Sequence, residues 1–269
     1  MSDETRLDLT HRAMEARPED DAARMQFYQQ IADSELIVLL RTEPADEDSL
    51  DPELLDMGEA GQFLLAFDEE ERLAAFAKEH GQAELPYAAL PGRVVAQMLA
   101  GQGVGLAVNL GVAPSSALVP AEAMGWLVAA LGAETQNAEA RITGVSAPVS
   151  PPESLLAALS EKLSRAGGLA SHALLLNASY SDGHVSKLLA FIDPLPGAEA
   201  ALAQAANEAL VFSGADGLEM DVAFFAAGDP ITRALETHGA RFDLPLPQEP
   251  EPAKPKAPGM DPTKPPIIR

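Results

Sequence analysis

Gln62-Phe-Leu-Leu-Ala-Phe67 is an unbroken apolar run of strand length, and the fold is read outward from it. Asp68-Glu-Glu-Glu71 follows it, and then Leu73, Phe76 and Ala77 recur at helical spacing. Leu85-Pro-Tyr-Ala-Ala-Leu90 predicts another extended segment, and Val94, Val95, Met98 and Leu99 mark a second helical face. Gly101-Gln-Gly-Val-Gly105 breaks that helix and feeds a buried strand, Leu106-Ala-Val-Asn-Leu110, and Pro120 opens a helix that carries Trp126, Leu127 and Leu131. Strand, helix, strand, helix, strand, helix between Gly61 and Leu131 is the order of an α/β fold, with α+β as the alternative.

Upstream, Pro18-Glu-Asp-Asp21 reads as a helix start with acids in the first turn, where the dipole favours them. Ala22, Met25, Phe27, Tyr28 and Ile31 give that helix an apolar side, and Glu35-Leu-Ile-Val-Leu-Leu-Arg41 is a second buried strand. Residues 1–17 are polar and are expected to be a frayed, disordered N-terminus. The acidic run from Glu43 to Glu59 contains Pro44 and Pro52 and reads as a long surface loop, ordered in part around Leu54 and Leu55.

Downstream, the pattern dissolves into Gly, Asn, Ser and Pro between Gly132 and Val149. That composition break predicts two small mixed-sheet domains with flanking helices, 18–135 and 151–246, joined by a linker at 136–150. In the second, Pro151-Pro-Glu starts an amphipathic helix through Leu155, Leu156, Leu159 and Leu163. Ser171–Ser179 and Ser186–Asp193 read as two strands around a hairpin turn at Ser181-Asp-Gly-His184. An Ala-rich helix to about Leu210, a strand from Leu218 to Phe225, a helix capped by Asp229-Pro230 and an edge strand at Arg241–Leu244 complete it. Residues 247–269 are rich in Pro, Glu, Lys and Ala and bury too little to order themselves, so they are expected to be an extended tail.

A chain of 269 residues can bury roughly 70–75% of its unfolded surface, so it needs no staples. Aromatics are only 5%, so the core is built from Leu, Ala and Val. We expect Phe63, Leu65, Phe67, Leu106, Val108 and Trp126 to share one core with Leu36, Val38 and Leu40. The formal charge is -23, with eight carboxylates and no basic residue from Glu43 to Glu59. Such a surface repels phosphates and anionic headgroups, which argues against nucleic-acid or membrane partners and leaves solubility, or a protein partner with a basic surface, as its meaning. No stretch reaches the ~18 uncharged apolar residues of a membrane span. The N-terminus has no apolar core of a signal peptide, so a cytoplasmic location is expected.

Cysteine is absent, which removes disulfides, thiolate metal sites and thiol nucleophiles. His11, His80, His172, His184 and His238 have no metal-ligand spacing and read as surface and turn residues, so no metal or cofactor is predicted. The glycines at 101–105 follow a helix and precede a strand, the reverse of a phosphate-binding loop, and read as a C-cap and tight turn. No GxSxG elbow makes Ser115 or Ser116 a nucleophile. Asp68 reads as a helix cap with Glu71 at the N3 position, and Trp126 and Tyr87 as core anchors. One stretch has the position of a binding loop: Asn109 to Pro120 joins a buried strand to a helix, the edge where α/β folds take ligands. Asn109, Gly111, Ser115 and Ser116 are its candidate ligand-binding residues, against a plain turn built on Gly111 and Pro114 with serines bonding local backbone.

Ser34-Glu-Leu-Ile-Val-Leu-Leu40, Gly61-Gln-Phe-Leu-Leu-Ala-Phe-Asp-Glu-Glu-Glu-Arg-Leu-Ala-Ala-Phe-Ala77 and Gly105-Leu-Ala-Val-Asn-Leu-Gly111 together resemble the N-terminal domain of the SseB proteins, the bacterial "enhanced serine sensitivity" family. The resemblance covers about 20 to 131, and 150 to 245 looks like the weaker C-terminal SseB domain. It implies a cytoplasmic α/β protein of unassigned biochemistry. The family name is sometimes set beside sulfurtransferases of the rhodanese type, but a chain without cysteine carries no persulfide. Two functions follow as expectations: a non-enzymatic protein-binding or regulatory module, and, as the alternative, a small-molecule binder or enzyme, related to amino acids, at the 109–116 loop.

Overall fold

The protein is described here from a computed structural model that covers residues 4–43, 50–81, 85–132, 141–215 and 217–245. The expected tail 247–269, part of the acidic run and part of the expected linker lie outside these residues. In chain order the first half holds α1 (Arg6–Ala16), α2 (Asp21–Asp33), β1 (Glu35–Leu39), β2 (Leu54–Asp56), β3 (Gln62–Phe67), α3 (Glu70–Glu79), β4 (Tyr87–Pro91), α4 (Gly92–Leu99), β5 (Val104–Val108), β6 (Ala117–Val119) and α5 (Ala121–Leu131). The second half holds β7 (Ile142–Ser146), α6 (Glu153–Ser164), β8 (His172–Tyr180), β9 (Val185–Ile192), α7 (Glu199–Phe212), β10 (Met220–Phe225), α8 (Thr232–His238) and β11 (Ala240–Asp243).

The strands form two mixed sheets, as an α/β reading requires. In the first, the order is β4-β1-β3-β5-β6, and only β3 and β5 run parallel. The short β2 pairs with β3 beyond the end of β1, placing Leu54 opposite Leu64. The turn that feeds β5 needs left-handed backbone at Gly101 and Gly103, with φ of 75° and 70°. In the second sheet the order is β10-β9-β8-β11, with β9 and β10 parallel. Strand β8 is nine residues long and serves two partners along one edge: β11 meets His172–Leu175 and β7 meets Asn177–Tyr180.

Both sheets are buried on both faces, which corrects the expectation of one shared core. Side chains alternate along a strand. Leu36, Val38, Leu64, Ala66, Leu106 and Val108 face α2, α4 and α5, whereas Ile37, Leu39, Phe63, Leu65 and Phe67 face α3 through Leu73 and Phe76. In the second sheet Leu175, Leu189 and Phe191 face α6 and α7, and Leu174, Leu176 and Ala190 face Leu235 of α8. The two helical layers meet where α2 and α5 touch α7, and Phe212 of α7 is wholly buried in the core of the first half.

This seam corrects the reading of Trp126 as a core anchor. Trp126 is 37% exposed and stands between Tyr28 and Phe212, with ring centroids 5.9 and 5.7 Å away. Tyr87 is exposed too, because β4 is an edge strand and its hydroxyl reaches Glu70 at 3.2 Å. Ionic contacts tie the same seam. Lys162 of α6 is buried between Asp33 of α2 (2.7 Å) and Glu208 of α7 (2.6 Å), and Arg165 and Arg93 add contacts of 2.7 and 2.8 Å to Asp33.

Other expectations also need correction. The N-terminus is helical: Thr5 and Asp8 form a reciprocal capping box, and Leu7, Asp8 and His11 of α1 are buried. The pattern conceals this because only Leu7 and the half-buried Met14 supply apolar packing, while Asp8 makes an ionic contact distant in sequence. Within the expected linker, Ile142–Ser146 is a strand, since a backbone ladder to β8 needs no apolar run. Strand β6 is apolar but only three residues long, too short for a period to mark it. Two histidines read as surface residues are buried, His11 edge-on to Phe27 at 5.2 Å and His172 inside β8. Asp229 accepts from the Ala226 amide at 2.9 Å instead of capping α8, which starts at Thr232.

Candidate functional site

The candidate loop leaves the carboxyl end of β5 beside the carboxyl end of its parallel neighbour β3. Asn109 takes the left-handed conformation at φ 50°, which asparagine tolerates better than other side-chain-bearing residues. Its amide bonds the Ala66 carbonyl at 2.9 Å, and its Oδ1 accepts from the Asp68 amide at 3.2 Å, so one residue ties the ends of both strands together. Gly111, at φ 75°, makes the turn and gives its N–H to Ser116 Oγ at 3.0 Å. Asn109 and Ser115 are wholly buried and are brought together, Asn109 Nδ2 donating to Ser115 Oγ at 2.8 Å. Gly111 and Ser116 lie further out and take no part in that pair.

Two residues that the sequence did not flag complete the site. Arg72, on the first turns of α3, is 3% exposed and grips Asp8 of α1 with both ends of its guanidinium. Nη1 donates to Asp8 Oδ1 at 3.0 Å and Nη2 to Oδ2 at 2.5 Å. Nη1 also donates to Asp68 Oδ1 at 2.9 Å and to Ser115 Oγ at 3.2 Å. Ser115 then adds its amide at 3.2 Å and its hydroxyl at 2.5 Å to Asp8 Oδ1, and the Thr5 amide donates to Asp8 Oδ2 at 3.1 Å. Asp68 is therefore not the expected cap. Its Oδ2 accepts from Thr5 Oγ1 at 2.8 Å, Glu69 holds the cap position without a side-chain bond, and Glu71 is in the first turn.

The charges follow from these bonds. Burial pushes Asp8 up, but hydrogen bonds from Arg72, Ser115 and Thr5 outweigh it and hold the carboxyl at about 2. Burial pulls Arg72 down, and the hydrogen bond with Asp8 and the charges of Asp68, Asp8 and Glu69 carry it above its ordinary value. Burial raises Glu69. Its Oε2 stands 3.4 Å from Arg72 Nε, and neither atom has a hydrogen bond. Chemically this is a carboxylate cradle with a fixed positive end. Ser115 donates its proton to a carboxylate held at about 2 by Arg72, too weak a base to activate the hydroxyl as a nucleophile.

The signals that point to these partners are faint in sequence. Thr5 and Asp8 have capping-box spacing, and Arg72 is the basic residue that closes the acidic run 68–71. A second, shallower feature lies on the other sheet, a groove of about 310 Å³ lined by Asn177, Ser186, Lys187 and Glu219 among others. Beside it, Tyr180 and Ser186 both donate to Asp221 Oδ2.

Residues 11–126 match the family model described as the SseB protein N-terminal domain. Over that stretch the chain is similar to the SseB N-terminal domain. The match spans β1, β3 and β5 together with Arg72, Asn109 and Ser115, so the strands and loop that suggested the family lie inside its domain. The SseB match ends before the second sheet, and the resemblance of 150–245 to a C-terminal SseB domain is not part of it. The chain matches no curated protein and no solved structure. Among the described residues, no helix is long and apolar enough to cross a membrane.

Proposed function

We propose that this SseB-family protein is a non-enzymatic, cytoplasmic protein-binding or regulatory module whose acidic face receives a partner with a basic surface. The observation that carries this reading is the segment Asp56–Ala60, from the last residue of β2 toward β3. All five residues are exposed, Asp56 and Glu59 present carboxylates, and Met57 is 40% exposed between them. A flexible, polarizable Met flanked by acids suits docking to a surface that carries both charge and apolar area. In this reading the two halves of the chain, each built on one sheet, act as one scaffold behind that face.

Affinity capture from a native lysate at low and at high salt tests it. A specific partner should be retained at low salt and lost as salt rises, because exposed charge pairs are screened over about 8–10 Å. Asp56→Lys with Glu59→Lys should release the same partner at low salt. Failure to recover a partner under either condition removes the support for this reading.

The second reading, a small-molecule binder at 109–116, is favoured by the place of that loop at the carboxyl ends of parallel β3 and β5. A thermal-shift screen of amino acids, serine included, tests it. A ligand at 100 times its Kd adds about 2.7 kcal/mol of stability, and Asn109→Ala should abolish any shift found.

A further inference from the structure

The cradle around Asp8 has the donor set of a carboxylate-binding site rather than of a surface ion pair. Its two oxygens accept five hydrogen bonds, and four of them come from Arg72 and Ser115. A planar guanidinium meeting a carboxylate at both oxygens, with a backbone N–H and a hydroxyl on one of them, fixes orientation as well as charge. The cradle belongs to α3 and to the loop after β5, both anchored in the sheet, whereas the carboxylate arrives on α1. That helix packs chiefly on α2: of its eleven residues Leu7, Asp8 and His11 are buried, and Met14 is half-buried against the same core. Arg72 Nε stands 3.4 Å from Glu69 Oε2 without a hydrogen bond, so the guanidinium keeps one N–H that Asp8 does not use.

We propose that Arg72, Ser115 and Asn109 form a carboxylate-recognition site, that Asp8 occupies it as an internal ligand, and that α1 is a latch displaced when a small organic carboxylate takes its place. Asn109 is a positioning residue here, turning Ser115 Oγ toward the anion through its Nδ2. The inference is independent of the acidic face, since Asp56–Ala60 contributes nothing to the cradle.

Formate is the probe, because Asp8→Ala removes one carboxyl group and formate restores one. In the full-length Asp8→Ala variant, sodium formate should raise the unfolding temperature by about 3 °C or more above sodium chloride at equal ionic strength, in a saturable way. The double variant Asp8→Ala with Arg72→Gln should show no such difference, and the wild type, where Asp8 competes for the cradle, should show a smaller one that needs more formate. Hydrogen exchange separates a latch from a fixed ion pair. In Asp8→Ala the amides of residues 6–16 should exchange at least about tenfold faster than in the wild type, and should stay fast when formate fills the cradle. Equal effects of formate and chloride would overturn the site, and renewed protection of α1 by formate would overturn the latch. If Asp8→Ala is unfolded in buffer, the same titration is read as recovery of the native circular dichroism, and absence of recovery overturns the proposal equally.

Discussion

Asp8 and Arg72 are 64 residues apart in sequence and meet as a two-pronged ion pair in which both side chains are almost wholly buried. Leaving either charge without its partner in that position is costly. Arg72→Ala should lower the free energy of unfolding by about 3–5 kcal/mol, read by urea denaturation.

The same pair sets an acid response. Asp8 is held at about 2 against an ordinary value of 3.8, so its contribution to stability is complete above about pH 4 and is lost as pH falls toward 2. A shift of that size corresponds to about 2 kcal/mol. Unfolding measured at intervals between pH 5 and pH 2 should show this loss in the wild type and not in Asp8→Asn.

The seam between the halves gives a second prediction. A protease site inserted between residues 133 and 140 should yield a nicked protein whose two pieces co-elute, since Lys162 bridges Asp33 and Glu208 and Phe212 is embedded in the first half. Lys162→Ala leaves two buried carboxylates with fewer counter-charges. It should cost about 3 kcal/mol and let the nicked pieces separate on gel filtration.

Trp126 is the protein's one tryptophan, so its fluorescence reports on this seam alone. With 37% of it exposed, Trp126→Ala should cost about 1–2 kcal/mol by thermal or urea unfolding, well short of the 3–5 expected for a buried aromatic.

Two glycines should respond in opposite directions. A Cβ at Gly92 would stand 1.8 Å from the Ile31 carbonyl oxygen, so Gly92→Ala must move α2 away from α4 and should prevent stable folding. A Cβ at Gly125, inside α5, meets nothing within 4 Å, so Gly125→Ala should raise stability by up to about 1 kcal/mol. Melting temperatures of the two variants check both.

How much could be read from the chain follows from the range of each interaction. Gln62–Phe67, Leu106–Val108 and the leucines of α6 announced themselves because an apolar run or period is local. The loop at Asn109–Ser115 was legible by position, as the exit of a buried strand toward a helix. Asp8 and Arg72 were not, because nothing near either residue names its partner, and α1 disappeared with them. Strands β6 and β7 depend on ladders to β5 and β8, which side-chain pattern does not encode. Trp126 looked like a core residue because it is large and apolar, but its surroundings are set by α2 and α7, elements distant from it in the chain.

Phe212 has a consequence for how the protein is made. A polypeptide leaves the ribosome amino end first, and its domains generally fold in that order as they emerge. Here one of the largest wholly buried side chains of the first half is encoded 81 residues after α5 ends at Leu131. Until residue 212 clears the exit tunnel, the nascent first half carries an open apolar seat beside Trp126. Translation through α6, β8 and β9 is thus a window in which that seat is available to chaperones and to other nascent chains. It closes when α7 arrives.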